Sequence, residues 1–133
     1  MAKPVDQIMA ELKPLGLSRQ RANRIYDASK YINDAGFRRI LGNPNEITNI
    51  PGVGEYIGNA YNCFALGMEC YILDTNVARI VYRLRGIKPF KRPEKDKLLK
   101  EEVKSILHKA NAKDFNYALL DLGAIVCLSR KIK

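Results

Sequence analysis

Asn49-Ile50-Pro51-Gly52-Val53-Gly54-Glu55-Tyr56 lies between two segments of helical periodicity and carries two glycines one residue apart. Glycine adopts backbone conformations closed to other residues, so the pair lets the chain reverse tightly and bring N–H groups close to an external oxygen. A helix starts at once, at Glu55, and its free N–H groups and positive dipole end face the same point. Ile50 and Val53 are placed to anchor the turn in a core while the glycines stay outside. A unit of this kind holds one phosphate without reading a base. Pro51, Gly52, Val53, Gly54 and Glu55 are therefore candidate phosphate-binding residues.

Beyond this turn comes Ile72-Leu73-Asp74-Thr75-Asn76-Val77-Ala78-Arg79-Ile80. An acid between two apolar residues and a helix start has an ordinary role, which is to cap the helix by accepting downstream N–H groups. Thr75 and Asn76 are alternative caps. That helix continues through Val77, Ile80, Val81 and Leu84 until Gly86 closes it.

The rest of the chain also reads as helix. Val5, Ile8, Met9 and Leu12 recur at helical spacing before Pro14 and Gly16 stop them. Ser18 is the expected N-cap of a longer helix ended by Gly36. Short helices are expected at Phe37–Leu41 and Asn45–Asn49, and a longer one from Glu55 to Leu66. Glu94–His108 and Lys113–Leu128 complete the series. No alternating strand, long linker or internal repeat interrupts it, so the expectation is one all-α domain over residues 1–133.

Composition narrows the function classes. The 133 residues are 47% hydrophobic, enough for a packed core, and carry a net charge of +9. No apolar run approaches the roughly 18 residues of a membrane span. The N-terminus lacks the apolar core of a signal peptide, which points to the cytoplasm and, in a prokaryote, the nucleoid. Cys63, Cys70 and Cys127 are too few and scattered for a disulfide framework. A soluble, basic domain of this kind most often meets a polyanion. The charge is uneven, +2 over residues 1–66 and +7 over residues 67–133. Nine basic residues fall between Arg79 and Lys100, Arg79 and Arg83 among them, and a cluster like this neutralises phosphates without regard to sequence. A solvated helix face and loop is the alternative reading.

Pro51-Gly52-Val53-Gly54 followed by Asp74-Thr75-Asn76-Val77-Ala78-Arg79 resembles the helix-hairpin-helix DNA glycosylase superfamily, which includes endonuclease III and the adenine glycosylase MutY. The likeness reaches back through Pro14-Leu15-Gly16-Leu17 and forward through Asp114-Phe115-Asn116-Tyr117 to Gly123-Ala124-Ile125-Val126-Cys127. It covers the chain from Leu12 onward. The resemblance implies an all-α fold of the endonuclease III type and a base-excision activity on double-stranded DNA. It makes Asp74 the catalytic carboxylate, stabilising positive charge on the deoxyribose and orienting or deprotonating the attacking water.

At the position of Tyr56, bifunctional relatives carry a lysine that forms a Schiff base and cleaves the strand. Tyrosine cannot do so, which implies a monofunctional enzyme and a pattern similar to the thymine (G/T mismatch) glycosylase branch. A packing role at the helix start is the alternative for Tyr56.

The family's first helices have no match before Leu12. Of its four-cysteine iron–sulfur motif, C-x6-C-x2-C-x5-C, only Cys127 has a counterpart, so no cluster is expected within this chain. The resemblance also allows a monovalent cation at the hairpin; no other metal or cofactor is expected. Three explanations stand for the missing segments: a fragment of a larger glycosylase, a compact relative completed by dimerisation or element swapping, or a catalytically inactive DNA-binding module. Uncovered apolar faces would drive association, so a homodimer or a missing partner segment is expected. His108 reads as a cap or surface residue, and Asp121 as a buried carboxylate partnered by an arginine. Asp114 and Asn116 read as organisers of the last helix start, and the resemblance implies that polar residues of this region lie close to the catalytic aspartate.

Overall fold

The computed structural model describes residues 3–107 and 111–130, and the described chain is all-α. Its helices are α1 (Val5–Leu12), α2 (Ser18–Ala35), α3 (Phe37–Leu41), α4 (Glu55–Phe64), α5 (Thr75–Arg85), α6 (Lys97–Leu107) and α7 (Ala112–Ile125). No described helix is long and apolar enough to cross a membrane. Contacts divide the chain into two compact units, residues 1–58 and 59–133, with the boundary inside α4. His108 lies outside the described residues.

In the first unit α1 packs on α2, and α2 on α3. Its buried apolar residues are few: Ala22, Ile40, Ile47 and Ile50. Ser18 is not the cap of α2. That place falls to Leu17, in the left-handed region at φ 50°, with no side-chain cap, and Ser18 is the first helical residue. The helix expected at Asn45–Asn49 shortens to a 3-10 turn, Ile47–Asn49, because Pro44 precedes it and the hairpin follows directly.

The second unit has the larger core. Tyr71 and Leu73 approach α5 in a segment without regular secondary structure and pack with Val77, Ala78, Val81 and Tyr82 of α5 and Leu99, Val103 and Leu107 of α6. Gly86 closes α5 in the left-handed conformation (φ 64°), and Ile87 N–H reaches back to Tyr82 O at 3.0 Å. The sequence places the next helix start at Glu94. It lies instead at Lys97, after a 3-10 turn at Pro93–Lys95, because the Asp96 carboxylate accepts Leu99 N–H at 3.2 Å and fixes the first turn there. Likewise α7 is capped by Asn111, whose Oδ1 accepts Lys113 N–H at 3.0 Å and Asp114 N–H at 3.2 Å.

The helix ends at Ile125, three residues short of the expected Leu128. Its buried positions are Ala112, Asn116 and Gly123. Asp121 projects from a different face and is exposed, so the buried ion pair expected of it does not form.

Gly123 is where α7 crosses α5. A Cβ there would stand 3.1 Å from Asn76 Cβ and 3.6 Å from Ile80 Cδ1. Gly123→Ala is expected to push the two helices apart and cost about 1–3 kcal/mol, read from denaturant unfolding. Unchanged stability would contradict this close crossing.

Tyr82 and Asp96 tie α5 to the start of α6, the phenol donating to Oδ2 at 2.7 Å. That bond, and then Leu99 N–H, holds the Asp96 carboxyl below the usual carboxylate range. Burial, reinforced by the same bond, pushes the Tyr82 phenol up. The Asp96 contribution is present above the ordinary carboxylate pKa and is lost as pH falls through the lowered one. The Tyr82 contribution is present below the ordinary phenol pKa and is lost as pH rises through the raised one. Tyr82→Phe should therefore flatten both limbs of a stability-against-pH curve, measured by thermal melting.

Candidate active site

The hairpin folds as its residue types dictate. Ile50 is buried and Val53 half-buried, while Pro51, Gly52 and Gly54 are exposed. Val53 N–H donates to Ile50 O at 2.9 Å, closing the turn, and Gly52 takes φ 82°, which strains any side chain. Gly58 N–H donates to Gly54 O at 2.9 Å, so α4 begins within a residue of the reversal. Space for a Cβ at Gly52 is taken by the Arg24 stem, 3.3 Å away, whereas a Cβ at Gly54 would meet nothing within 4 Å. Gly54 thus leaves open space outside the fold, beside the helix start. Glu55 and Tyr56 occupy the first turn of α4, and Tyr56 is 44% exposed.

Asp74 closes the N-terminus of α5 in extended backbone conformation. Its Oδ1 accepts Asn76 N–H at 2.9 Å and Val77 N–H at 2.7 Å, and its Oδ2 accepts from Asn76 Nδ2 at 2.8 Å. These donors fix the plane of the carboxylate. The side chain is half-buried. Asp74 is thus the cap, in place of Thr75 or Asn76, and a cap with one oxygen facing a side-chain amide retains acceptor capacity for other chemistry.

Arg79 sits one turn further on. Its Nη1 donates to Asn76 Oδ1 at 2.9 Å, completing a chain from guanidinium to amide to carboxylate. Its Nη2 donates to Gly123 O at 3.1 Å and Cys127 O at 2.6 Å, and its Nε to Cys127 O at 2.9 Å. Arg83 follows the same course, donating to Leu128 O at 2.7 Å, Ser129 O at 3.3 Å and Cys127 Sγ at 3.2 Å. Both arginines thus satisfy carbonyls at and beyond the C-terminus of α7, where cationic donors complement the helix dipole. Their charge alone suggested phosphate contacts; the geometry gives them partners inside the chain. Arg85 pairs with Glu102 at 2.6 Å, while Lys88, Lys91 and Arg92 lie exposed on the loop after α5.

The residue that sequence reasoning understated is Asn116. It is 1% exposed, and its amide joins three parts of the second unit. Its oxygen accepts Ile72 N–H at 3.0 Å; its nitrogen faces Cys70 O and Ala112 O at 2.8 Å each, and Cys63 Sγ at 3.3 Å. The available signal was an amide at the position four residues after Ala112 and seven before Gly123, on the buried side of an otherwise apolar helix.

The cysteines do not furnish a four-thiolate set. Cys63 is bonded to Asn116, Cys127 is buried under Arg83, and burial pushes the Cys70 thiol up. Among the described residues no three His, Cys, Asp or Glu side chains converge on a metal position.

Over residues 1–107 the chain matches the HhH-GPD superfamily of base excision DNA repair proteins. It is 34% identical over 129 residues to a thymine-DNA glycosylase of Aeropyrum pernix, covering 95% of this chain and 58% of that protein. With a thymine/uracil-DNA glycosylase of Methanothermobacter thermautotrophicus it shares 34% identity, covering 98% of this chain and 59% of the relative. A solved structure of a thermostable thymine-DNA glycosylase superposes with a TM-score of 0.86 at 30% identity, over 98% of this chain and 60% of the other. The chain therefore spans less than two thirds of the length of these relatives. On the helical fold, the glycine hairpin and the family match together, the chain belongs to the HhH-GPD superfamily of base excision DNA repair proteins.

Proposed function

We propose that this chain is a monofunctional DNA glycosylase that removes thymine or uracil opposite guanine from double-stranded DNA. The observation that carries this reading is the Asp74 carboxylate, held by three donors at a helix start. Similarity to the thymine- and thymine/uracil-DNA glycosylases supports the choice of base.

The target nucleotide leaves the stack, which costs least where it is mispaired. As the N-glycosidic bond breaks, its electron pair goes to the base and positive charge develops on the sugar. A fixed anion stabilises that charge without reorganising, and the same carboxylate orients the water that adds to C1′. Base and intact abasic strand are the products. Tyr56 lines the base pocket and has no amine to attack C1′, so no strand cleavage follows.

Pro51, Gly52, Val53, Gly54 and Glu55 present the start of α4 to one DNA phosphate, and the hairpin carbonyls are where a monovalent cation belongs. Arg79 and Arg83 hold the end of α7 and bring positive charge to the DNA backbone there, alongside the exposed Lys88, Lys91 and Arg92. The two compact units act as one functional domain. The exposed apolar side chains of α7, Tyr117, Leu122 and Ile125, favour association with a second copy or a partner segment.

Incubation with G·T and G·U duplexes, followed by alkaline heating, is expected to give strand scission only after the alkali step. Borohydride should trap no covalent adduct. Asp74→Asn should lower excision by at least about a hundredfold while duplex affinity stays in place. Absence of scission with the wild-type chain at any excess would contradict the enzyme reading and leave a DNA-binding module.

The hairpin has its own test. Because Gly54 faces open space, Gly54→Leu is expected to melt like the wild type yet bind every duplex about tenfold more weakly, the loss of one charge-assisted hydrogen bond. Selective weakening on mismatched DNA alone would instead place Gly54 at the base.

A further inference from the structure

Helix α7 meets both flanks of Asp74. Downstream, Gly123 lets the helix approach Asn76, the residue whose amide and backbone N–H hold the carboxylate. Upstream, seven residues earlier on the same buried face, Asn116 grips the segment that delivers Asp74 to α5. That segment has no sheet neighbour among the described residues to fix it. Its polar groups are satisfied from the side: Ile72 N–H and Cys70 O by the Asn116 amide, and Tyr71 O by Asn59 Nδ2 at 3.0 Å.

We propose that Asn116 is a positioning residue for Asp74, acting through residues Cys70–Leu73 to fix where the carboxylate stands. A planar amide suits the task because its acceptor and its donors are rigidly related. One face of a single side chain therefore sets the Ile72 N–H and the Cys70 carbonyl in register against α7. Alanine would leave the buried Ile72 N–H, the buried Ala112 carbonyl and the half-buried Cys70 carbonyl without this partner, and the segment would shift to find others. A displacement of about an ångström at a reacting group is enough to cost a large factor in rate.

The inference rests on the glycosylase reading, and its test separates the two. Single-turnover excision from a G·T duplex, duplex affinity and melting temperature are measured for Asn116→Ala, the milder Asn116→Ser, and Val103→Ala. Val103 is a fully buried residue of α6 in the same core as Tyr71 and Leu73, so Val103→Ala loosens the segment's packing while leaving the Asn116 hydrogen bonds in place. Both Asn116 variants are expected to lose at least about tenfold in excision rate at unchanged duplex affinity, beyond any loss in Val103→Ala at a comparable melting temperature.

Amide hydrogen exchange needs no catalysis and no variant. In the wild-type chain the Ile72 amide is expected to exchange as slowly as the buried α7 amides, and faster in whichever Asn116 variant folds. Excision rates that follow melting temperature alike in all three variants overturn the positioning role. An Ile72 amide that exchanges like a surface loop overturns the bond itself, even if neither Asn116 variant folds. A wild-type chain that excises neither thymine nor uracil overturns the glycosylase reading, and the positioning role with it, whatever the exchange data show of the bond.

Discussion

The hydrogen bonds around one carboxylate organise the second half of this protein. Asp74 ends an extended segment and begins a helix, and it performs that junction by accepting two backbone N–H groups on one oxygen and an amide on the other. A helix start leaves N–H donors without partners, so an acid at this place is stabilising before any chemistry is considered. The same arrangement supplies what a glycosylase requires, an anion fixed in orientation before the sugar charge appears. The structural cap and the proposed catalytic carboxylate are therefore two consequences of one geometry.

Helix α7 extends that geometry. Its end is held by Arg79 and Arg83 through carbonyls from Gly123 to Ser129, and Arg79 also touches Asn76, which touches Asp74. Both arginines hold the end of the last helix, and Arg79 also links it to the carboxylate through Asn76. Loss of either arginine would leave carbonyls at the end of α7 without a strong donor, and in the case of Arg79 would also loosen the amide beside Asp74. Neutral amides and the two arginines of α5 set position, while Lys88, Lys91 and Arg92 on the loop are exposed to solvent.

The sequence was legible where local chemistry fixes structure. Two glycines around Val53 announced a tight reversal into α4, and the structure forms it with Gly52 at positive φ. The acid before Thr75 announced a cap, and it is one. The displaced starts of α6 and α7 have a common cause: Asp96 and Asn111 each capture N–H groups a few residues from where apolar periodicity begins. Side-chain capping competes with hydrophobic pattern, and the pattern alone does not record it. Asn116 and the two arginines were obscured for another reason. Their partners lie more than forty residues away, at Cys70, Ile72 and Cys127, so only the packing of α7 against α5 reveals what they do.

In the proposed reaction Asp74 presents a negative charge to the sugar carbon as its bond to the base breaks. A duplex bearing a cationic aza-sugar opposite guanine mimics that charged state, and a neutral tetrahydrofuran abasic site in the same sequence does not. A site complementary to the transition state must prefer the cation. The wild-type chain is expected to bind the aza-sugar duplex at least about a hundredfold more tightly than the neutral one. Asp74→Asn should abolish the difference while binding the neutral duplex normally. Equal affinity of the wild-type chain for the two duplexes would contradict this role of Asp74.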